Sequence, residues 1–294
     1  MDEAAASPAR TWRKVGCYYV LTLVFSGIFG GFVLVAGKIS TGDLLFITGA
    51  MWSPALATFA TQKIFGESIR GLAWQWSETR YAWFGYLIPI LYAFPVYVIA
   101  WASGLGAFNW DAVQKIAQDF GWQRFPRGIT LILFVIITAS VGLIAKLARA
   151  LGEEIGWRGF LVPELAKVLP FPAVGIVSGL MWAAFHYPVL LFADYNNGCP
   201  RWYALTCFTL MVTGGSVVMA WLVLRARSLW PAAILHASHN LWIQSIFTPL
   251  TRDTGPTKYV IDEFGIGLVI TTMIGAGIVW ALASKQTKVE TLGC

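Results

Sequence analysis

Charge is scarce in this sequence. Asp, Glu, Lys and Arg make up 12% of its 294 residues, while 57% are hydrophobic; a soluble domain carries about twice that charged fraction. The shortage argues against a soluble domain, the mean hydropathy of +0.65 agrees, and a chain of this length with many spans leaves no room for a separate soluble domain. Cysteine is scarce too. Cys17, Cys199, Cys207 and Cys294 show no CxxC or other metal-ligand spacing. Cys17 and Cys207 fall in apolar runs and read as small core residues, and Cys199 lies in a connection where a disulfide has no evident partner. Cys294 is the last residue, whereas a prenylation box needs its cysteine fourth from the end. No internal repeat, low-complexity tract or HExxH zinc-protease signature occurs. The first apolar run is not followed by a small-residue cleavage site, so it reads as a retained helix rather than a signal peptide.

What is abundant is long apolar runs. Eight of them read as membrane-spanning helices, at about residues 15–35, 44–65, 81–101, 129 onward, 172–192, 203–224, 229–247 and 264–283, each near the ~20 residues that cross a bilayer core. The expected fold class is therefore an all-α, polytopic integral membrane protein with a polar cavity inside the membrane. Its helical domain would span 15–283, between a short polar tail at 1–14 that is expected to fray and a second tail at 284–294. Pro54, Pro89 and Pro95 fall inside runs, which membrane helices tolerate as kinks. Residues 102–128 form a longer mixed connection in which 112–120 suit a short surface helix, and Trp74 and Trp76 suit an interface. With the N-terminus inside, the inner connections hold about twice the Lys and Arg of the outer ones. That bias predicts both termini in the cytoplasm. It also accounts for the net charge of +6 without a nucleic-acid partner.

Against this background a few polar residues stand out, because ionisable groups at membrane depth cost roughly 2.5–3.5 kcal/mol each and so mark function. Glu153, Glu154 and Arg158 follow an apolar run. On a helix Glu154 and Arg158 are four apart and share a face, with the acid N-terminal, the better order for an ion pair. Glu153 lies about 100° round. One carboxylate is then neutralised while the other points elsewhere, and a partly buried unpaired Glu suits a general base. The bland alternative is an interfacial motif whose charges reach out to water. The three histidines, His186, His236 and His239, all fall in apolar runs, where each needs a polar partner. His236 and Asn240, four apart, face the same way and can donate hydrogen bonds to an oxyanion. His239 lies about 60° to the other side and either joins the site or packs elsewhere.

These groups sort into a hydrolytic site. Glu153 with His186 would hold and deprotonate a water, while His236 and Asn240 would stabilise the tetrahedral oxyanion of an attacked amide. No recognisable Ser or Cys nucleophile motif accompanies them, so water is the expected attacker. Glu153, His186 and His236 also make a two-His, one-carboxylate set of the kind that holds zinc. Metal-activated and carboxylate-activated water are not separable from sequence alone.

Gly-Glu-Glu-Ile-Gly-Trp-Arg-Gly at 152–159, Trp-Ala-Ala-Phe-His-Tyr-Pro at 182–188 and His-Ala-Ser-His-Asn at 236–240 resemble the EExxxR, FxxxH and HxxxN motifs of the CPBP (CAAX protease and bacteriocin-processing) family of intramembrane proteases. That family includes the Rce1-type enzymes that trim prenylated CAAX proteins. The resemblance covers a protease-like core at about 125–245 and implies an endopeptidase acting on a membrane-anchored or lipid-modified peptide. By motif position it implies that Glu153 activates water with His186 as partner, and that His236 and Asn240 form the oxyanion pair. Glu154 and Arg158 would orient the site or meet a substrate carboxylate, and His239 is outside the minimal pattern. The family is often labelled metal-dependent, while its structural picture favours glutamate-activated water, so no obligatory metal is expected and a divalent metal such as zinc is the alternative. Trp182 stands where the short form of the second motif has Phe, which is expected to alter the shape of the cavity rather than its chemistry. The rival reading is a non-catalytic membrane protein of bacteriocin self-immunity or scaffolding that uses the same cavity. A transporter would show inverted repeats, and none is visible.

One geometric requirement follows. A helix starting near 129 at the outer face carries Glu153 near or beyond the inner boundary, while His186 lies about 20 Å into a helix starting at 172. The mechanism needs the two together, so either the fourth helix begins outside the core or the fifth starts well into the cytoplasm and tilts; a water-filled cavity open to the cytoplasm would reconcile both.

Overall fold

Apolar chain in a bilayer has no water to satisfy its peptide groups, so it closes its hydrogen bonds internally as helix. A computed structural model describes residues 7–36 and 44–292 and bears out the all-α class. The helices are α1 (Pro8–Ala36), α2 (Leu44–Ile64), α3 (Thr79–Ser103), a short α4 (Trp110–Asp119) and the long α5 (Arg127–Leu165). After it come α6 (Phe171–Phe192), α7 (Arg201–Ala226), α8 (Trp230–His239) and α9 (Ile266–Leu292). Helix α4 lies where a surface helix is expected, and the Asn109 side chain caps it by accepting from the Ala112 amide at 3.1 Å. Two-residue strands β1 (Ala107–Phe108) and β2 (Thr251–Arg252) pair antiparallel and tie the 104–109 connection to the end of the α8 segment.

Six described helices, α1, α3, α5, α6, α7 and α9, are long and apolar enough to cross a membrane. Eight spans are expected from the sequence. The other two expected positions are also helical, but α2 and the 230–247 segment fall outside that set. The latter is too polar because it carries His236, His239, Asn240 and Gln244. Outward faces present Val20, Ile28, Leu91, Ile99, Ile132, Val141, Ile144 and Ile274, all exposed. Apolar surface so extensive suits lipid rather than water, and the chain is an integral membrane protein.

Small residues let the helices meet closely. A Cβ added at Gly175 or Gly179 of α6 would lie 2.8 Å from the Val217 Cα or 2.7 Å from the Thr213 Cα of α7, the small-residue spacing by which membrane helices approach. Helix α7, the most enclosed of the spans, also packs on α9, while α2 and α8 both pack on the central part of α5.

The structure brings the Glu153 and His186 motifs to one cavity. Helix α5 does not end near the Glu153 motif but continues to Leu165, through π-helical turns at Thr138–Gly142 and Trp157–Leu161. The chain then reverses at 166–170. Glu153 is twelve residues before Leu165, or about 18 Å along the axis, and Trp182 is eleven residues after Phe171, or about 17 Å. The two motifs therefore reach the same level from opposite directions.

Residues 8–14, expected to belong to a frayed tail, are the first turns of α1 and hold the end of α5 in place. Lys14 is buried and binds both Glu164 and Glu67 at 2.5 Å, with Arg10 adding a 3.2 Å pair to Glu67. Burial works to raise the pKa of Glu67 in the α2–α3 connection, but its hydrogen bonds and charge contacts with Lys14 and Arg10 outweigh that and hold it below the ordinary carboxylate value. One turn further, Tyr18 packs its ring 5.7 Å from Trp157 and 5.0 Å from Phe160. Cys17, Cys199 and Cys207 are free thiols; Cys199 is buried, and its Sγ donates to the Lys258 carbonyl.

The crossing of α2 and α5 depends on Gly152, where a Cβ would fall 2.6 Å from the Trp52 ring and 2.9 Å from the Met51 carbonyl. Gly152→Ala is expected to destabilise the protein by about 1–3 kcal/mol. Gly16→Ala, at an exposed helical position with nothing within 4 Å, should be neutral or stabilising. Thermal melts of both variants in detergent check the contrast.

Candidate active site

Glu153 and Glu154 are neighbours in sequence with opposite surroundings. Glu154 and Arg158 are fully enclosed. The Glu154 Oε1 accepts from Arg158 Nη1 and from His236 Nδ1, each at 2.9 Å. Arg158 reaches Ser216 of α7 through Nη2 at 2.8 Å and lies 4.2 Å over the Trp182 ring of α6. The i,i+4 pair expected from the sequence is present, but it is sealed and does not meet the cavity. The two charges oppose each other within the protein, as a buried pair requires, although Glu154 Oε2 and Arg158 Nε have no hydrogen-bond partner among the described residues.

Glu153 does line the cavity, a space of about 410 Å³ shared with His186, His236, His239, Asn240 and Trp182. Its Oε2 accepts from the Trp182 indole N–H at 2.6 Å. Trp182 thus does more than alter shape: where the motif has Phe, this chain places a hydrogen-bond donor on the carboxylate. The indole ring is also 6.1 Å from His186 and 5.2 Å from His236, centre to centre.

The histidine bonds define which nitrogen is basic. His186 Nδ1 lies 3.0 Å from the Trp182 carbonyl, which can only accept, so Nδ1 carries the proton and Nε2 is the basic nitrogen. His236 Nδ1 likewise donates to Glu154, so in the neutral ring Nε2 is again an acceptor. Asn240 begins a π-helical stretch, Asn240–Phe247, directly after α8, and Arg158 sits in another, Trp157–Leu161. Such turns recur at functional sites because they re-aim side chains.

A second polar group, not foreseen from the sequence, forms another part of the cavity wall. Glu263 accepts from His239 Nε2 and Gln244 Nε2 at 3.0 Å each and from the Tyr195 hydroxyl at 2.6 Å. His239 Nδ1 is bonded in turn to the Tyr92 hydroxyl. The Tyr195 ring lies against His186, 6.4 Å between centres and 29° from parallel. Burial works to raise the pKa of Glu263, but the His239, Tyr195 and Gln244 bonds outweigh it and hold the carboxyl below the ordinary range. Asp262 beside it is raised, by burial and by the Glu263 charge. The signal available in the sequence was the pair of acids directly before the last apolar run.

The zinc-type set does not form. Among the described residues no three His, Cys, Asp or Glu side chains gather where they could hold a metal ion. Trp182 stands among Glu153, His186 and His236 and bonds the first of them.

Residues 132–242 match the model of a family described as type II CAAX prenyl endopeptidase Rce1-like. The matched segment contains every motif residue, from Glu153 to Asn240, and stops short of Glu263. The chain is also 28% identical over 183 residues to the CAAX prenyl protease 2 of Methanococcus maripaludis. That alignment covers 60% of this chain and 58% of the relative, less than two thirds of its length. The resemblance carried by the three motifs is thereby borne out.

The sealed pair generates a stability prediction. Arg158→Met would leave Glu154 enclosed without its guanidinium and should destabilise by about 3–5 kcal/mol. Adding Glu154→Gln should recover part of the loss. Denaturation of the single and double variants in detergent checks this, and an unchanged midpoint in Arg158→Met would show that the pair does not hold the fold.

Proposed function

Starting from that likeness, we propose that this protein is an intramembrane endopeptidase that hydrolyses a peptide bond of a membrane-anchored or lipid-modified substrate, of the prenylated CAAX type. The observation that carries the proposal is the convergence of Glu153, His186, His236 and Asn240 on one cavity of a membrane protein. The relative's printed name, CAAX prenyl protease 2, supports the substrate class. Apolar residues of α1 and α2 (Leu23, Ile47 and Met51) form part of the same lining, a surface suited to a lipid-bearing peptide.

In the proposed reaction a water sits between the Glu153 carboxylate and His186 Nε2. Glu153 takes one proton as the water oxygen attacks the carbonyl carbon. The carbonyl oxygen becomes an oxyanion, held by the Asn240 amide N–H. His236 donates to it through Nε2 only as the imidazolium, whose charge the oxyanion itself balances, while Glu154, already paired with Arg158, fixes the ring through Nδ1. Collapse breaks the C–N bond, and the Glu153 carboxylic acid returns its proton to the leaving amine. Trp182 keeps the Glu153 carboxylate oriented throughout. The positive bias of the inner connections persists when Lys146, Arg149 and Arg158, which lie within α5, are left out, and it supports an opening toward the cytoplasm, with both termini on that side.

Purified protein should cleave a farnesylated CAAX peptide. Glu153→Gln and His186→Ala should each lower kcat by about 10²-fold or more, the scale of a lost general base, with melting temperatures near that of the parent. Parent-like turnover in either folded variant would sink the mechanism.

A further inference from the structure

Of the two groups assigned to the oxyanion, one is held by a hydrogen bond and the other is not. His236 is fixed by Glu154 through Nδ1. Asn240 is buried and lines the cavity, yet among the described residues its amide has no hydrogen-bond partner. Its direction is set by the backbone that carries it, the π-helical stretch Asn240–Phe247. Two side chains restrain that stretch: His239, one residue before Asn240, and Gln244. Both donate to the same oxygen, Glu263 Oε1, at 3.0 Å each. Five residues apart on an α-helix, they would point about 140° away from each other. The i→i+5 winding of a π-helix brings them to one face. His239 is also pinned at Nδ1 by the Tyr92 hydroxyl of α3, so both of its ring nitrogens are already engaged.

Resting on the proteolytic reading, we infer that Glu263 is a positioning residue for that reaction: by clamping His239 and Gln244 it keeps the π-helical stretch wound and aims the Asn240 amide at the oxyanion. The turn that carries Glu263 is built to present it. Asp262 has a left-handed backbone, with φ 69°, and its Oδ1 accepts from the Glu263 amide at 2.8 Å. Such a backbone is unfavourable for a residue other than glycine and persists where its surroundings fix it, often at functional sites. At Gly265 a Cβ would collide with the Ile261 carbonyl, so glycine is what lets the chain turn into α9 there. The other oxygen of Glu263 accepts from Tyr195 at 2.6 Å, which ties the clamp to the ring lying on His186. Glu263 acts through Asn240 and needs to touch neither the water nor the peptide.

The test is a double-mutant cycle on the full-length protein in detergent with a farnesylated CAAX peptide, run at single turnover as well as steady state so that slow variants stay measurable. E263A should lower kcat about tenfold or more, part of the roughly 10²–10³ that a lost oxyanion donor costs, with KM changed by less than about twofold. Added to N240A, the same substitution should lower kcat by no more than about twofold, because the donor it aims is already gone. E263Q keeps an oxygen that can accept both bonds and should hold kcat within about fivefold of the parent. Where E263A fails to fold, Q244M, which leaves Glu263 and His239 in place, goes through the same cycle and should lower kcat in the parent background alone. Equal factors in the two backgrounds, a parent-like kcat in E263A, or an E263Q as slow as E263A overturn the positioning role and leave the protease standing. So does a parent-like N240A. A parent that does not cut the peptide sinks the proteolytic reading and this role together.

Discussion

A guanidinium enclosed in the membrane domain organises this structure. Arg158 joins four helices: its own α5, α7 through Ser216, α6 through the Trp182 ring, and α8 through Glu154 and His236. Enclosed charge is tolerable only where its partners are in place. The cost of misplacing any one of them specifies how these helices assemble. His236 is orientated as part of the same arrangement, so an ion pair that does not line the cavity decides which nitrogen of this cavity-lining ring carries the proton.

The adjacent glutamates divide the work because a helix turns about 100° per residue. Glu154 goes inward to Arg158, and Glu153 goes to the cavity, where the Trp182 indole is its donor. The reversal at 166–170 then brings Trp182 and Glu153 to one level, although 29 residues separate them in the chain. Proximity arises from nearly equal helix lengths on either side of the turn.

Glu263 completes the enclosure from outside the matched segment. Through Tyr195 it is linked to the ring that lies on His186, and through His239 to the helix end that carries Asn240. At the other end of α5, Lys14 is a second buried cation, held between two carboxylates, Glu164 and Glu67, from different segments.

The sequence by itself determined the helical membrane class, because hydropathy is a property of local segments, and it determined the Glu154–Arg158 pairing, because a four-residue spacing is local too. It also marked Glu153, His186, His236 and Asn240, since polar residues in apolar runs are costly and therefore few. Tertiary structure alone decided the rest. Whether Arg158 would meet substrate or be sealed depended on Ser216 and Trp182, far away in the chain. That His239 answers to Glu263, that Trp182 is a donor to Glu153, and that Lys14 belongs to a buried network each depended on a partner from another helix. Such partners are set by how helices cross, and crossing depends on the fit of whole surfaces, such as Gly152 against Trp52, which no local pattern encodes.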